Sequence, residues 1–97
     1  MDLHTLRQQY RDAILELAAR HKLEDVRVFG STARGEARLG SDLDILVHPK
    51  TGCSLLDVVG FEIELSSLLG GQKVDVVEDE AVHERLAPFI FAEAVRL

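Results

Sequence analysis

The sequence predicts an α/β (α+β) fold, one small mixed β-sheet packed with helices, and three observations carry that prediction. Apolar residues recur at helical spacing from about Leu3 to His21 and again from Ser54 to Leu69. Short runs rich in valine, Val26, Val28 and Phe29 and then Val74, Val76 and Val77, read as buried strands. Between them Leu43, Ile45 and Val47 alternate with Asp42, Asp44 and Leu46, the period of two that marks a strand.

Each element follows from its own residues. In the first helix Leu6, Tyr10, Ala13, Ile14 and Leu17 make an apolar stripe with charged residues between them. The strand at Val28 meets a turn at Gly30, and Ser31 stands where a helix N-cap belongs. A polar stretch punctuated by Gly35 and Gly40 leads into the alternating strand, and Pro49 to Gly52 reads as a loop. The second long helix ends at Gly70 and Gly71. After the third strand the chain reads as helical from Glu80 through Leu86 and from Phe89 to Glu93, with Pro88 interrupting or starting a turn. Val82, Leu86, Phe89, Ile90 and Val95 read as core.

Ninety-seven residues fit a single domain over 1–97 with a small core. Hydrophobic residues at 46% and charged residues at 29% exclude a disordered chain. A formal net charge of −6, with eleven Lys and Arg scattered and never in a run, argues against a direct nucleic-acid-binding surface. The single Cys53 excludes an internal disulfide and a cysteine zinc site. The polar N-terminus is no signal peptide and no segment is apolar enough to span a membrane, so a cytoplasmic location is expected.

The chemistry centres on Asp42 and Asp44. Two residues apart on a strand, their carboxylates leave the same face with Cα atoms roughly 6.5 to 7 Å apart. Two facing anions repel unless a cation lies between them, and Mg²⁺ or Mn²⁺ suits carboxylate oxygens completed by water and phosphate. Solvated aspartates on an exposed face are the plainer alternative, although aspartate is a poor strand former. Gly30 and Ser31 offer a strand-to-helix turn whose backbone N–H groups can hold an anion such as a triphosphate, and an ordinary cap would look the same. Arg34, one turn on, can reach a phosphate or simply face solvent. Asp75, between Val74 and Val76, joins the two acids if its strand neighbours theirs, as a third metal ligand and acceptor of a proton from an attacking hydroxyl.

Gly30-Ser31, Arg34-Gly35, Ser41-Asp42-Leu43-Asp44 and, further on, Lys73-Val74-Asp75-Val76-Val77 together resemble the minimal nucleotidyltransferases of the DNA polymerase beta superfamily. The resemblance runs at motif level from Val28 to Val77; the flanking helices agree in length and order. It implies a polymerase-beta-like core in which Gly30 and Ser31 hold the β and γ phosphates of ATP, with Arg34 and Ser41 in the nucleotide-binding set. Asp42 and Asp44 would bind two Mg²⁺ ions, Mn²⁺ being a possible substitute, and Asp75 would ligate one and activate the acceptor. Attack on the α phosphorus would release pyrophosphate.

The resemblance also implies a partner. Members of this kind commonly pair with a HEPN-domain ribonuclease toxin as its antitoxin, and some attach AMP to a toxin tyrosine. Independently, the helix from Ser54 to Leu69 carries apolar residues well beyond the roughly 100° stripe that one core contact needs. A homo- or hetero-oligomeric interface and a helix sandwiched within its own fold explain this equally well. The expected function is therefore Mg²⁺-dependent transfer of AMP from ATP to a hydroxyl of a partner protein. The competing expectation is a non-catalytic nucleotide-binding antitoxin or regulatory module that acts by covering its partner. His4, His21, His48 and His83 lack ligand spacing, and only His48 lies near the acidic strand. Cys53 reads as a small buried residue, and Glu78, Asp79 and Glu80 as a solvated turn.

Overall fold

The computed structural model describes residues 1–97. The N-terminal helical stretch comprises α1 (Leu3–Thr5), a π-helical turn (Leu6–Tyr10) and α2 (Arg11–Arg20). Asp2 caps it, its Oδ1 accepting the Thr5 N–H at 2.7 Å. Leu6, Ile14, Leu17 and Ala18 are buried, whereas Ala13, expected on the stripe, is exposed. The wider π turn carries the residues after it around the helix axis, which brings Ala18 to the core side in place of Ala13.

Strand β1 (Leu23–Phe29) begins after Lys22, and its register with β2 (Leu43–Pro49) shifts between Glu24 and Arg27. Asp25 sits at that irregularity with φ 49°, so Leu23 and Val26, three apart, both reach the core. Between the two strands lies one short helical turn, α3 (Gly30–Ala33). Helix α4 (Leu55–Leu68) opens on a capping box in which the Asp57 N–H donates to Ser54 Oγ at 3.4 Å and the Ser54 N–H to Asp57 Oδ2 at 3.0 Å. Gly70 and Gly71 close it with left-handed φ angles of 70° and 92°. Strand β3 (Val74–Glu78), a 3₁₀ turn (Asp79–Ala81), α5 (Ala87–Glu93) and the two-residue β4 (Val95–Arg96) complete the chain.

The sheet order is β3-β2-β1-β4, with β2 and β3 parallel and the other pairs antiparallel, so the sheet is mixed as expected. Val28, Leu43, Ile45, Val47 and Val74 pack with Leu6, Ile14, Leu17, Phe61 and Leu65 in one core under α2 and α4. Each fully buried side chain of this size contributes about 1.5–3 kcal/mol. Gly60 lets α4 close onto α2, since a Cβ there would lie 2.8 Å from the His21 ring. Alternation sends Phe29, Asp44 and Leu46 to the other face. There the Arg27 guanidinium lies 5.7 Å from the centre of the Phe91 ring.

Two expectations fail at the C-terminal end. Residues from Glu80 to Leu86 form only the 3₁₀ turn and an irregular segment, because Pro88 fits the first turn of a helix and α5 therefore starts beside it. Of the residues expected in the core here, Leu86 and Phe89 are exposed at 55% and 73%, and Val82, Ile90 and Val95 are only half-buried. The chain ends instead as an edge strand on β1.

Candidate active site

Strand register assembles the site. Phe29 on β1 pairs with Asp44 on β2, and Asp44 pairs with Asp75 on β3, so the two aspartates stand side by side on adjacent parallel strands. Asp42 lies just before β2, where Lys73 Nζ approaches its Oδ2 at 3.8 Å. The three carboxylates expected from sequence are thus brought to one end of the sheet. At Asp44 partial burial, then the charges of Asp75 and Asp42, push the carboxyl above the usual carboxylate range, and Arg34 offsets only part of this.

Gly30 closes the other side. Its φ is 71°, and a Cβ there would collide with Asp44 Oδ2, so glycine is required both by the backbone and by the carboxylate lying over it. Ser31 is not an N-cap: α3 begins at Gly30, Phe29 holds the cap position, and no local side chain caps the turn. The carboxylate that serves this end comes from far along the chain. Glu93 Oε1 accepts the Gly30 N–H at 2.8 Å, and its Oε2 accepts from Arg34 Nη1 at 3.0 Å. The Gly30 hydrogen bond, followed by those from Arg34, holds the Glu93 carboxyl below its usual range. Arg34 Nε also donates to Glu36 Oε2 at 3.2 Å, and the bonds to Glu93 and Glu36 hold the guanidinium firmly protonated. Ser31 is half-buried beside this loop. Ser41 braces the approach to β2: its Oγ accepts the Arg38 N–H at 3.0 Å and its carbonyl accepts from Gln72 Nε2 at 2.8 Å.

Glu93 is the residue that sequence reasoning missed. No local pattern marked it, because the two-residue strand that brings it to Gly30 is too short to leave a period.

The donor set fits a hard divalent cation. Half-buried Asp42 and Asp44 and exposed Asp75 lie at one end of the sheet with one exposed lysine beside them, and burial, then the charges of Asp75 and Asp42, disfavours the ionised form of Asp44. A cation would remove that penalty, as oxygen-liganded Mg²⁺ does. His48 belongs elsewhere. Its Nδ1 lies 3.0 Å from Asp79 and 3.7 Å from Glu80, forming a separate ion-paired cluster beside the 3₁₀ turn.

Residues 9–97 match the family model described as a nucleotidyltransferase domain. A candidate protein adenylyltransferase of Methanocaldococcus jannaschii is 40% identical over 82 residues, covering 84% of this chain and 87% of that protein. The protein adenylyltransferase MntA of Thermococcus cleftensis is 39% identical over 80 residues, covering 82% and 80%. A solved structure described as a candidate minimal nucleotidyltransferase superposes with a TM-score of 0.86 at 48% identity, covering 100% of this chain and 97% of that one. A toxin-antitoxin structure with AMP-PNP shares the fold at a TM-score of 0.75 and 22% identity, covering 90% and 71%. Matched in sequence over residues 9–97 and in fold over its whole length, the chain belongs to the nucleotidyltransferase domain family and is a minimal nucleotidyltransferase.

Proposed function

We propose that this nucleotidyltransferase moves AMP from ATP to a tyrosine hydroxyl of a HEPN-domain ribonuclease toxin, in the cytoplasm, and so acts as its antitoxin. The observation that carries the reading is the pairing of Asp44 with Asp75, with Asp42 beside them and the Gly30 turn alongside. Carboxylates placed together at one end of a sheet beside a glycine turn suit a metal and a phosphate. The relatives named as protein adenylyltransferases and the toxin-antitoxin structures, one with AMP-PNP, support the protein acceptor and the ATP donor.

In this reading Asp42, Asp44 and Asp75 would hold two Mg²⁺ ions, with Mn²⁺ able to replace them. Bound there, the ions would neutralise charge on the phosphates and lower the pKa of the attacking hydroxyl. Ser31 and Arg34 hold the β and γ phosphates, and Gly30 lets them approach closely. Asp75 takes the proton of the acceptor hydroxyl as its oxygen forms a bond to the α phosphorus; the bond from that phosphorus to the bridging oxygen breaks and pyrophosphate leaves.

The protein acceptor has a second support. On α4 only Val58, Phe61 and Leu65 are buried, while Leu55, Leu56 and Ile63 are exposed at 77%, 82% and 64%. That apolar face fits a protein partner. It serves equally a protein that silences its partner by covering it, so the test must follow the phosphate. With ATP labelled at the α phosphate, Mg²⁺ and the neighbouring toxin, label should become covalently attached to the toxin; label from the γ position should not. Transfer of the γ label, or none from either, would contradict the reading.

A further inference from the structure

We infer that Glu93 is a positioning residue of the nucleotide site: its carboxylate fixes the Gly30 turn and the Arg34 guanidinium together in the arrangement that receives the triphosphate. The inference rests on the nucleotidyl-transfer reading above.

The placement is built into the sheet. Val95 pairs with Val28 and Arg96 with Arg27 in an antiparallel register; continuing that register two residues past Val28 brings Glu93 opposite Gly30. The backbone carrying Glu93 is held on both sides, by α5 before it and by β4 after it. Arg7 secures the tail by donating from Nε to the Leu97 carbonyl at 3.3 Å and from Nη2 to the Arg96 carbonyl. The two carboxylate oxygens then act separately, Oε1 at 2.8 Å from the Gly30 nitrogen and Oε2 at 3.0 Å from Arg34 Nη1. One side chain thereby ties together a backbone turn 63 residues before it and a cation 59 residues before it in sequence.

This changes the roles of its neighbours. With its N–H committed to Glu93, Gly30 serves the phosphates by having no side chain, and the turn's donor to phosphate falls to Ser31. Arg34 commits Nε and Nη1 to Glu36 and Glu93, which leaves Nη2 to meet the ligand. The opposite role would be a plug, a carboxylate occupying donors that the triphosphate must take from it. The two roles differ in sign.

ATP binding in the presence of Mg²⁺ should be measured on the full chain as wild type, Glu93→Gln, Glu93→Ala, Arg34→Ala and the Glu93→Ala/Arg34→Ala double variant, with melting temperatures alongside. Loss of hydrogen bonds to a charged group should weaken ATP binding roughly tenfold or more in Glu93→Ala. Glu93→Gln, which keeps one acceptor oxygen, should fall between it and wild type. Arg34→Ala should cost much less in the Glu93→Ala background than alone, because the guanidinium is no longer aimed. Tighter binding by Glu93→Ala would overturn the inference in favour of a plug, and unchanged binding or fully additive losses would overturn it in favour of neither role. If Glu93→Ala fails to fold, Glu93→Gln decides by the same signs. Wild type that binds no ATP would overturn the nucleotidyl-transfer reading itself and the inference with it; wild type that binds, with Glu93→Gln indistinguishable from it, would overturn only the role of Glu93.

Discussion

Gly30 and Asp44 compete for one small volume: the space a Cβ on Gly30 would fill is held by the Asp44 carboxylate. Gly30→Ala should therefore act twice. A non-glycine residue at φ 71° costs about 1–3 kcal/mol of backbone strain, and the displaced Asp44 should lower nucleotidyl transfer by roughly 100-fold. Gly70→Ala separates the two effects, because φ there is 70° and nothing lies within 4 Å of the added carbon. It should lose stability by a similar amount and keep its transfer rate. Melting curves and label-transfer rates on both variants check this, and equal activity losses would contradict the shared volume.

His48 and Asp79 form an ion pair at 3.0 Å outside the acidic site. Hydrogen bonding to Asp79, then the charges of Asp79, Glu80 and Glu24, raise the His48 pKa above 6.5. A folded-state pKa raised above the unfolded value gives stability that is fully present below the unfolded pKa and lost as pH rises through the folded one. The melting-temperature difference between wild type and His48→Gln should thus be largest at about pH 6 and shrink towards about pH 9. A difference that grows with pH would contradict the pair.

The exposed apolar face of α4 separates folding from assembly. Leu56→Lys and Ile63→Lys, at residues 82% and 64% exposed, should change stability by no more than about 0.5 kcal/mol. They should weaken binding to the proposed toxin partner by about tenfold or more, as loss of an apolar anchor does. Titration calorimetry against the toxin measures it. Undiminished binding would move the interface elsewhere.

Much of this site was legible because local pattern and topology agreed. Asp42 and Asp44 were readable from the alternation of Leu43, Ile45 and Val47, and Asp75 from its place between two valines; the parallel β2–β3 register then set Asp75 against Asp44. The glycine stop at Gly70 and Gly71 marked the end of α4 in the same local way. What escaped depends on non-local pairing. β4 is two residues long, too short to leave a period, and it alone brings Glu93 to Gly30. Ser31 resembled an N-cap because the true partner of the turn lies 63 residues away from Gly30. The apolar residues Leu86 and Phe89 looked like core because composition cannot distinguish a buried face from one left exposed.

Asp44 stands between Asp42, Asp75 and the Gly30 turn, so it tests the central claim most directly. Wild type and Asp44→Ala should be compared for transfer of α-phosphate label from ATP to the toxin with Mg²⁺ present, and for neutralisation of the toxin in cells. Wild type should label a toxin tyrosine and neutralise it, while Asp44→Ala should retain its fold, transfer at roughly a thousandth of the rate or less, and fail to neutralise. Full neutralisation by Asp44→Ala without label on the toxin would contradict catalysis as the basis of the proposed antitoxin action and leave a protein that works by covering its partner.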